Sequence, residues 1–202
     1  MFWLLRLILG SFLLIFLVCA VSRTKLVHKK TWYIIIVTIT VALVSVSAVV
    51  PLENVFYTFK TPHAAYNYYN FGKTDIKLVF SGKNSDLVVG DKNNSNVYLI
   101  IPKTASGWKI GIGVDTKKVL QKIIDNIVIC VYQYKNTDDY FITVLDTKGE
   151  TLEVKDSRDS NFLTTVRKND AINKSFISYH TSVFGLDREY WLSINGNIVS
   201  LV

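Results

Sequence analysis

The sequence predicts an α+β protein: two N-terminal transmembrane helices, then a mainly antiparallel β domain with a short juxtamembrane helix. Three observations predict it. Two long apolar runs fill the chain up to Val50, the apolar period changes to two beyond Lys73, and the stretch "SRTKLVHKKTWY" (Ser22 to Tyr33) between the runs carries several positive charges and no negative one.

From Phe2 to Val21 the only charged residue is Arg6, and from Trp32 to Val50 there is none. Each run holds roughly 20 residues, which at about 1.5 Å per helical residue crosses a hydrocarbon core roughly 30 Å thick. Apolar side chains on every face leave no polar side to meet water. The second run, "YIIIVTITVALVSVSAVV", is rich in β-branched residues, yet lipid demands internal backbone hydrogen bonds and so a helix. The spans are expected at about 2–21 and 32–50 of a hairpin covering 1–50.

Arg23, Lys25, Lys29 and Lys30 stand in a loop short enough for the positive-inside rule, so the loop is expected in the cytoplasm and both hairpin ends outside. The remainder of the chain then lies outside the membrane. Trp3, Trp32 and Tyr33 suit the interfacial belt, where amphipathic rings sit at headgroup level, and Arg6 is expected to snorkel toward the outer interface.

This topology explains the net charge of +7. All 16 acidic residues follow position 50 together with 18 of the 23 Lys and Arg, so the hairpin carries +5 and the rest +2. The outer part alternates Lys with Asp and has no basic stripe, which excludes nucleic acid as the expected partner and leaves the lipid bilayer, with a second envelope or membrane protein beside it. Lipidation at Cys19 would want a smaller residue than Val18 before it. Small residues ending at Ala48 would suit cleavage, but a leader preceded by a whole extra span is unusual, so a retained anchor is expected. Cys19 and Cys130 are too differently placed to pair, and the outer domain must rely on core burial, which about 150 residues can supply. These features fit the cytoplasmic membrane of a bacterium.

The juxtamembrane segment 51–72 contains "FKTPHAAYNYYNFG", which reads as a short helix: Thr61 as N-cap, Pro62 at the first helical position and Gly72 as terminator, with Ala65, Tyr66 and Tyr69 on one face. Across 73–202, "DIKLVF", "DLVVG", "NVYLIIP", "WKIGIG", "NIVICVYQY", "YFITVL", "SFISYHTSV" and "YWLSINGNIVSL" alternate apolar and polar residues between turn clusters, the pattern of antiparallel strands. "DTKKVLQKIIDN" fits a helical face and a strand about equally. A Lys-Asn-Ser/Thr-Asp turn at Lys83 recurs at Lys135, 52 residues later, an echo that two duplicated meanders followed by a C-terminal hairpin would produce.

The series "FKTPHAAYNYY", "GKNSDLVV", "GWKIGIG" and the ending "YHTSVFGLDREYWLSINGNIVSL" resembles small exported or membrane-anchored proteins of unassigned function from Firmicutes-type bacteria. The resemblance implies an extracytoplasmic location and a compact domain; it carries no activity, ligand or catalytic residue.

The three histidines, His28, His63 and His180, have no ligand spacing between them, and Cys130 has no nearby partner in sequence, so no metal site is expected. No G-x-S-x-G elbow, P-loop or G-x-G-x-x-G is present, and no cofactor is expected. His180 with Ser178 or Ser182 and a distant Asp could compose a triad on paper. Cys130 reads as a small buried hydrophobe, and Asp138 with Asp139 as a solvated hairpin tip. The cluster Phe56, Tyr57, Phe59, Tyr66, Tyr68, Tyr69 and Phe71 invites two readings: packing of the helix against the sheet with rings at the headgroups, or a partner patch of large, stiff contact area. The expected role is a membrane-anchored binding or assembly module of the envelope, without catalysis. The alternatives are an accessory envelope hydrolase with a dispersed site around His180, and a sensor subunit.

Overall fold

The computed structural model describes residues 2–24, 28–49, 53–70, 74–92, 95–111, 116–169 and 174–201. The chain forms two compact units, Met1–Phe56 and Tyr57–Val202.

The first unit contains α1 (Phe2–Arg23), α2 (Lys29–Val49) and the single turn α3 (Glu53–Phe56). A Cβ added at Gly10 of α1 would stand 3.1 Å from Val44 Cγ2 of α2, the close approach that small residues permit between apolar helices. Elsewhere the two helices display apolar rings and branches outward, among them Phe12, Phe16, Ile34 and Ile39. By length and composition, Lys29–Val46 is long and apolar enough to cross a membrane; the described apolar part of α1 is the shorter Gly10–Arg23.

The second unit is α+β with antiparallel sheets throughout. Its strands are β1 (Asp75–Ser81), β2 (Ser85–Asp91), β3 (Asn96–Thr104), β4 (Gly107–Trp108), β5 (Thr116–Ile124), β6 (Ile127–Tyr134), β7 (Asp139–Asp146), β8 (Val154–Asp156), β9 (Leu163–Asn169), β10 (Lys174–Phe184), β11 (Trp191–Ile194) and β12 (Asn197–Ser200). They build three sheets ordered β1-β2-β3-β4, β5-β6-β7-β10-β9 and β12-β11-β8.

The sheets stack because each strand pleat sends alternate side chains to opposite faces. The short helix α4 (Pro62–Tyr69) covers one face of the first sheet, packing Ala65 and Tyr66 with Val88, Leu99, Ile101 and Ile110. The opposite face meets the second sheet through Phe80, Leu87, Val89 and Ile100 against Tyr134 and Phe141. Beyond it, Ile129, Val131, Ile142 and Val144 meet Leu192 and Ile194 of the third sheet. Strand β2 lies between two layers, and its apolar run "LVVG" is buried on both faces.

Local chemistry accounts for the elements. The Thr61 side chain accepts the Ala64 N–H at 3.1 Å, Pro62 opens α4, and the helix closes at Asn70 rather than Gly72, which lies outside the described residues. The Asn195-Gly196 turn joins β11 to β12 with φ of 51° and 82°, the left-handed pair that a two-residue hairpin turn demands. The ambiguous segment "DTKKVLQKIIDN" is a strand over Thr116–Ile124, because that stretch pairs along its length with β6; Asp115 lies outside the described residues. Of "WKIGIG", Trp108 belongs to β4 with the preceding Gly107, and the described residues 109–111 follow it outside the named strands; a Cβ at Gly111 would strike the Ile100 carbonyl, so the chain there runs close against β3. The echoed turns precede β2 and β7, but β2 pairs with β1 and β3, whereas β7 pairs with β6 and β10 and β8 joins another sheet.

Candidate functional site

The aromatic cluster divides. In α3, Phe56 is 89% exposed. In the second unit Phe59 is buried, with Tyr57 edge-on at 5.0 Å and Tyr68 tilted at 5.2 Å between ring centroids. Tyr66 is fully buried under α4, and burial pushes its phenol up. Tyr57 and Tyr69 keep 57% and 44% of their surface exposed. Phe59 and Tyr66 are therefore core, Tyr68 is half-buried, and the interface candidates Phe56, Tyr57 and Tyr69 remain at the surface. Phe71 lies outside the described residues.

The segment carrying Tyr57 and Phe59 joins the first sheet as a lead-in ribbon. Phe59 and Trp108 exchange backbone hydrogen bonds of 2.8 and 2.9 Å. Gly107, at φ 136°, permits this, since a Cβ there would stand 2.4 Å from the Phe59 carbonyl oxygen. The Trp108 indole N–H donates to Asp86 Oδ2 at 2.5 Å, and Lys103 Nζ lies 6.0 Å from the indole ring centroid. Lys109 Nζ donates to the Tyr57 carbonyl at 3.1 Å. Trp108, Asp86, Lys103 and Lys109 were not legible as one group, because "GWK" reads only as a strand start and the lysines as ordinary turn residues.

His180 stands in the seam between the first two sheets. It is wholly buried, its Nδ1 lying 3.2 Å from Thr143 Oγ1 and its Nε2 2.9 Å from Thr165 Oγ1, with Phe80 and Tyr98 rings at 5.7 and 5.8 Å. Desolvation lowers its pKa to about 4, so at neutral pH the ring is neutral, with one threonine accepting its N–H and the other donating to it. Ser182 donates instead to the Ser81 carbonyl at 3.2 Å. Among the described hydrogen bonds, those of His180 go to threonines and not to a serine or a carboxylate, so the paper triad is not assembled. Cys130 faces the same seam, half-buried, beside Tyr132; burial first, and then this thiol, push the Tyr132 phenol up.

Asp138 and Asp139 differ from the expected solvated tip. Asp138 is exposed, but Asp139 is buried and accepts the backbone N–H of Lys83 at 2.9 Å, that of Asn84 at 2.6 Å and the Ser85 hydroxyl at 2.9 Å. It borders a surface pocket of about 210 Å³ lined also by Ser81, Gly82, Lys83, Ser182 and Phe184. With three donors on its two oxygens, this carboxylate fastens the β1–β2 turn to the second sheet. Among the described residues no three His, Cys, Asp or Glu side chains converge to hold a metal ion.

In the first unit, Arg23 ends α1, and Lys29 and Lys30 begin α2. Lys29 Nζ donates to the Ser22 carbonyl at 3.0 Å, capping the C-terminal end of α1. Lys25 lies outside the described residues, as do the side chains of Trp3 and Arg6. No protein-family model, curated protein or solved structure matches the chain.

Proposed function

We propose that this chain is a membrane-anchored module of the bacterial envelope: α1 and α2 are two spans, their lysine-rich connection is cytoplasmic, and the second unit acts outside by binding or assembly. The observation that carries this reading is the helical hairpin itself, whose described side chains put apolar groups on the outward faces as well as between the helices. A water-soluble hairpin would present a polar stripe. The cations at the connection add to it. Arg23 suits the negative end of the α1 dipole, but Lys30 stands at the positive end of α2, where the dipole disfavours a cation. Topology supplies the reason helix stability does not.

The binding role rests on the surface rings Tyr57 and Tyr69 and on the closed surroundings of His180. The test is fractionation of cells expressing the full chain. The chain is expected to stay with the membrane through alkaline carbonate washing, and the detergent-purified protein to show no turnover of peptidoglycan fragments. Release into the wash contradicts the anchor, and turnover that disappears in His180→Ala contradicts the binding role.

A further inference from the structure

The single turn α3 reverses the usual sorting of polar and apolar side chains. Its two polar residues, Glu53 and Asn54, are half-buried, and neither is without a partner. Its two apolar residues, Val55 and Phe56, keep 71% and 89% of their surface exposed, and α3 contributes no buried residue. A lone exposed hydrophobe is ordinary on a surface that faces water. A turn that covers its polar pair and uncovers its apolar pair is not, because in water the burial of Val and Phe is what favours one side over the other. One helical turn has little stability of its own, so the medium around it decides which side faces out. The outward apolar side also continues that of α2 in the same unit, where Ile34, Ile39, Val41, Leu43 and Val46 are each more than half exposed.

Chain length limits where α3 can lie. Residues 50–52 separate it from the end of α2 at Val49. Fully extended, that connection spans at most roughly 14 Å, and the turn adds about 5 Å. The headgroup layer on each side of the hydrocarbon is roughly 5–7 Å thick. A membrane-spanning α2 therefore keeps Val55 and Phe56 within reach of the bilayer surface from which it emerges.

We propose that Val55 and Phe56 insert at the boundary between headgroups and acyl chains, so that α3 is a shallow interfacial foot on the span α2. This rests on the reading of α2 as a membrane span. Lipid supplies the apolar cover that the described protein leaves off, and Glu53 and Asn54 stay on the protein side. The foot sets the depth of α2 and opposes its sliding, because withdrawal carries the two apolar side chains into water.

The test uses the full chain with Cys19 and Cys130 replaced by alanine, reconstituted into phosphatidylcholine vesicles. A bimane label at Val55→Cys is read against nitroxides placed shallow or deep on the acyl chain, and against iodide present on both sides of the vesicle. A second label, at Ile39→Cys of α2, is read against the deep nitroxide. The 55 label is expected to be quenched more by the shallow nitroxide than by the deep one and to be protected from iodide, while the 39 label is quenched by the deep one. Phe56→Ser is expected to lower the inserted-to-free ratio at 55 by roughly tenfold. Phe56 is 89% exposed, so that substitution leaves the packing of the fold alone. Quenching at 39 with iodide quenching and no lipid quenching at 55 overturns the insertion and leaves the anchor standing. Quenching at 39 with the 55 label shielded from lipid and iodide alike puts a protein surface over α3 and overturns the insertion as well. Absence of quenching at 39 overturns the anchor, and the insertion with it.

Discussion

The hydroxyl of Tyr66 lies across Gly90 so closely that a Cβ built on the glycine would stand 2.0 Å from it, and 2.7 Å from the ring carbon that carries it. The tyrosine belongs to α4 and the glycine to β2, so this crossing sets how near the helix lies to the sheet. A side chain at position 90 would have to push the helix outward or force Tyr66 off its rotamer.

Gly90→Ala is therefore expected to destabilise the folded domain by about 2–3 kcal/mol. Tyr66→Phe removes the atom of closest approach and should recover part of that loss in the double variant. Denaturant unfolding of the full chain in detergent measures the coupling; additive losses would show that the two residues do not meet as described.

Asp139 joins two sheets through one turn. Asp139→Ala leaves two backbone N–H groups and the Ser85 hydroxyl without their acceptor, at an expected cost of about 2–4 kcal/mol. Asp139→Asn keeps one acceptor oxygen and should lose less. Equal losses in the two variants would mean that packing, and not hydrogen bonding, holds the turn.

The legible parts of the fold are those where local chemistry and tertiary packing agree. Thr61 and Pro62 announce α4, Asn195-Gly196 announces the last hairpin, and strict alternation announces most strands. Strand β9, "LTTVRKN", escaped because it is an edge strand with Thr, Arg and Lys in its pleat, and β8 because three residues carry no period. In α4 the helical period joins Ala65, Tyr66 and Tyr69, yet only the first two are buried: the helix is eight residues long, and its last turn stays exposed. Asp139 reads like any turn aspartate because its partners lie more than fifty residues away. The Phe59–Trp108 pair was hidden for the same reason, since the two residues become neighbours only through a bridge that spans about fifty residues of chain.

Burial of His180 makes stability depend on pH in a defined window. The folded-state pKa is about 4 against 6.5 for the free side chain, so below 6.5 the unfolded chain binds the proton that the folded chain refuses. Stability is complete above pH 6.5 and is lost progressively as pH falls to 4, by about 3 kcal/mol from this group. His180→Gln is expected to flatten the profile across that window. Ring NMR shifts of His180 that titrate near 6.5 in the folded protein would contradict the buried, neutral imidazole.

Tyr190 donates its hydroxyl to Asp156 Oδ2 at 2.6 Å, while Asp156 Oδ1 accepts the N–H groups of Arg158 and Ser160. Burial, and then this carboxylate, push the Tyr190 phenol up, whereas the hydrogen bonds Asp156 accepts outweigh its desolvation and hold its carboxyl below the usual range. Tyr190→Phe should cost about 1–3 kcal/mol, since the hydrogen bond goes to a charged group. It should also raise the pH at which acid unfolds the domain, because Asp156 then titrates closer to its ordinary value. An unchanged acid transition would separate the two residues.

The central claim is that the connection between α1 and α2 is cytoplasmic and the β domain is outside. Single cysteines at Ser22 and Asn136, both exposed, in a chain whose native cysteines have been replaced, can be offered a membrane-impermeant maleimide on intact cells. Labelling at 136 and protection at 22 is the predicted result. Labelling at 22 with protection at 136 would put the β domain in the cytoplasm and contradict the charge argument on which the account rests.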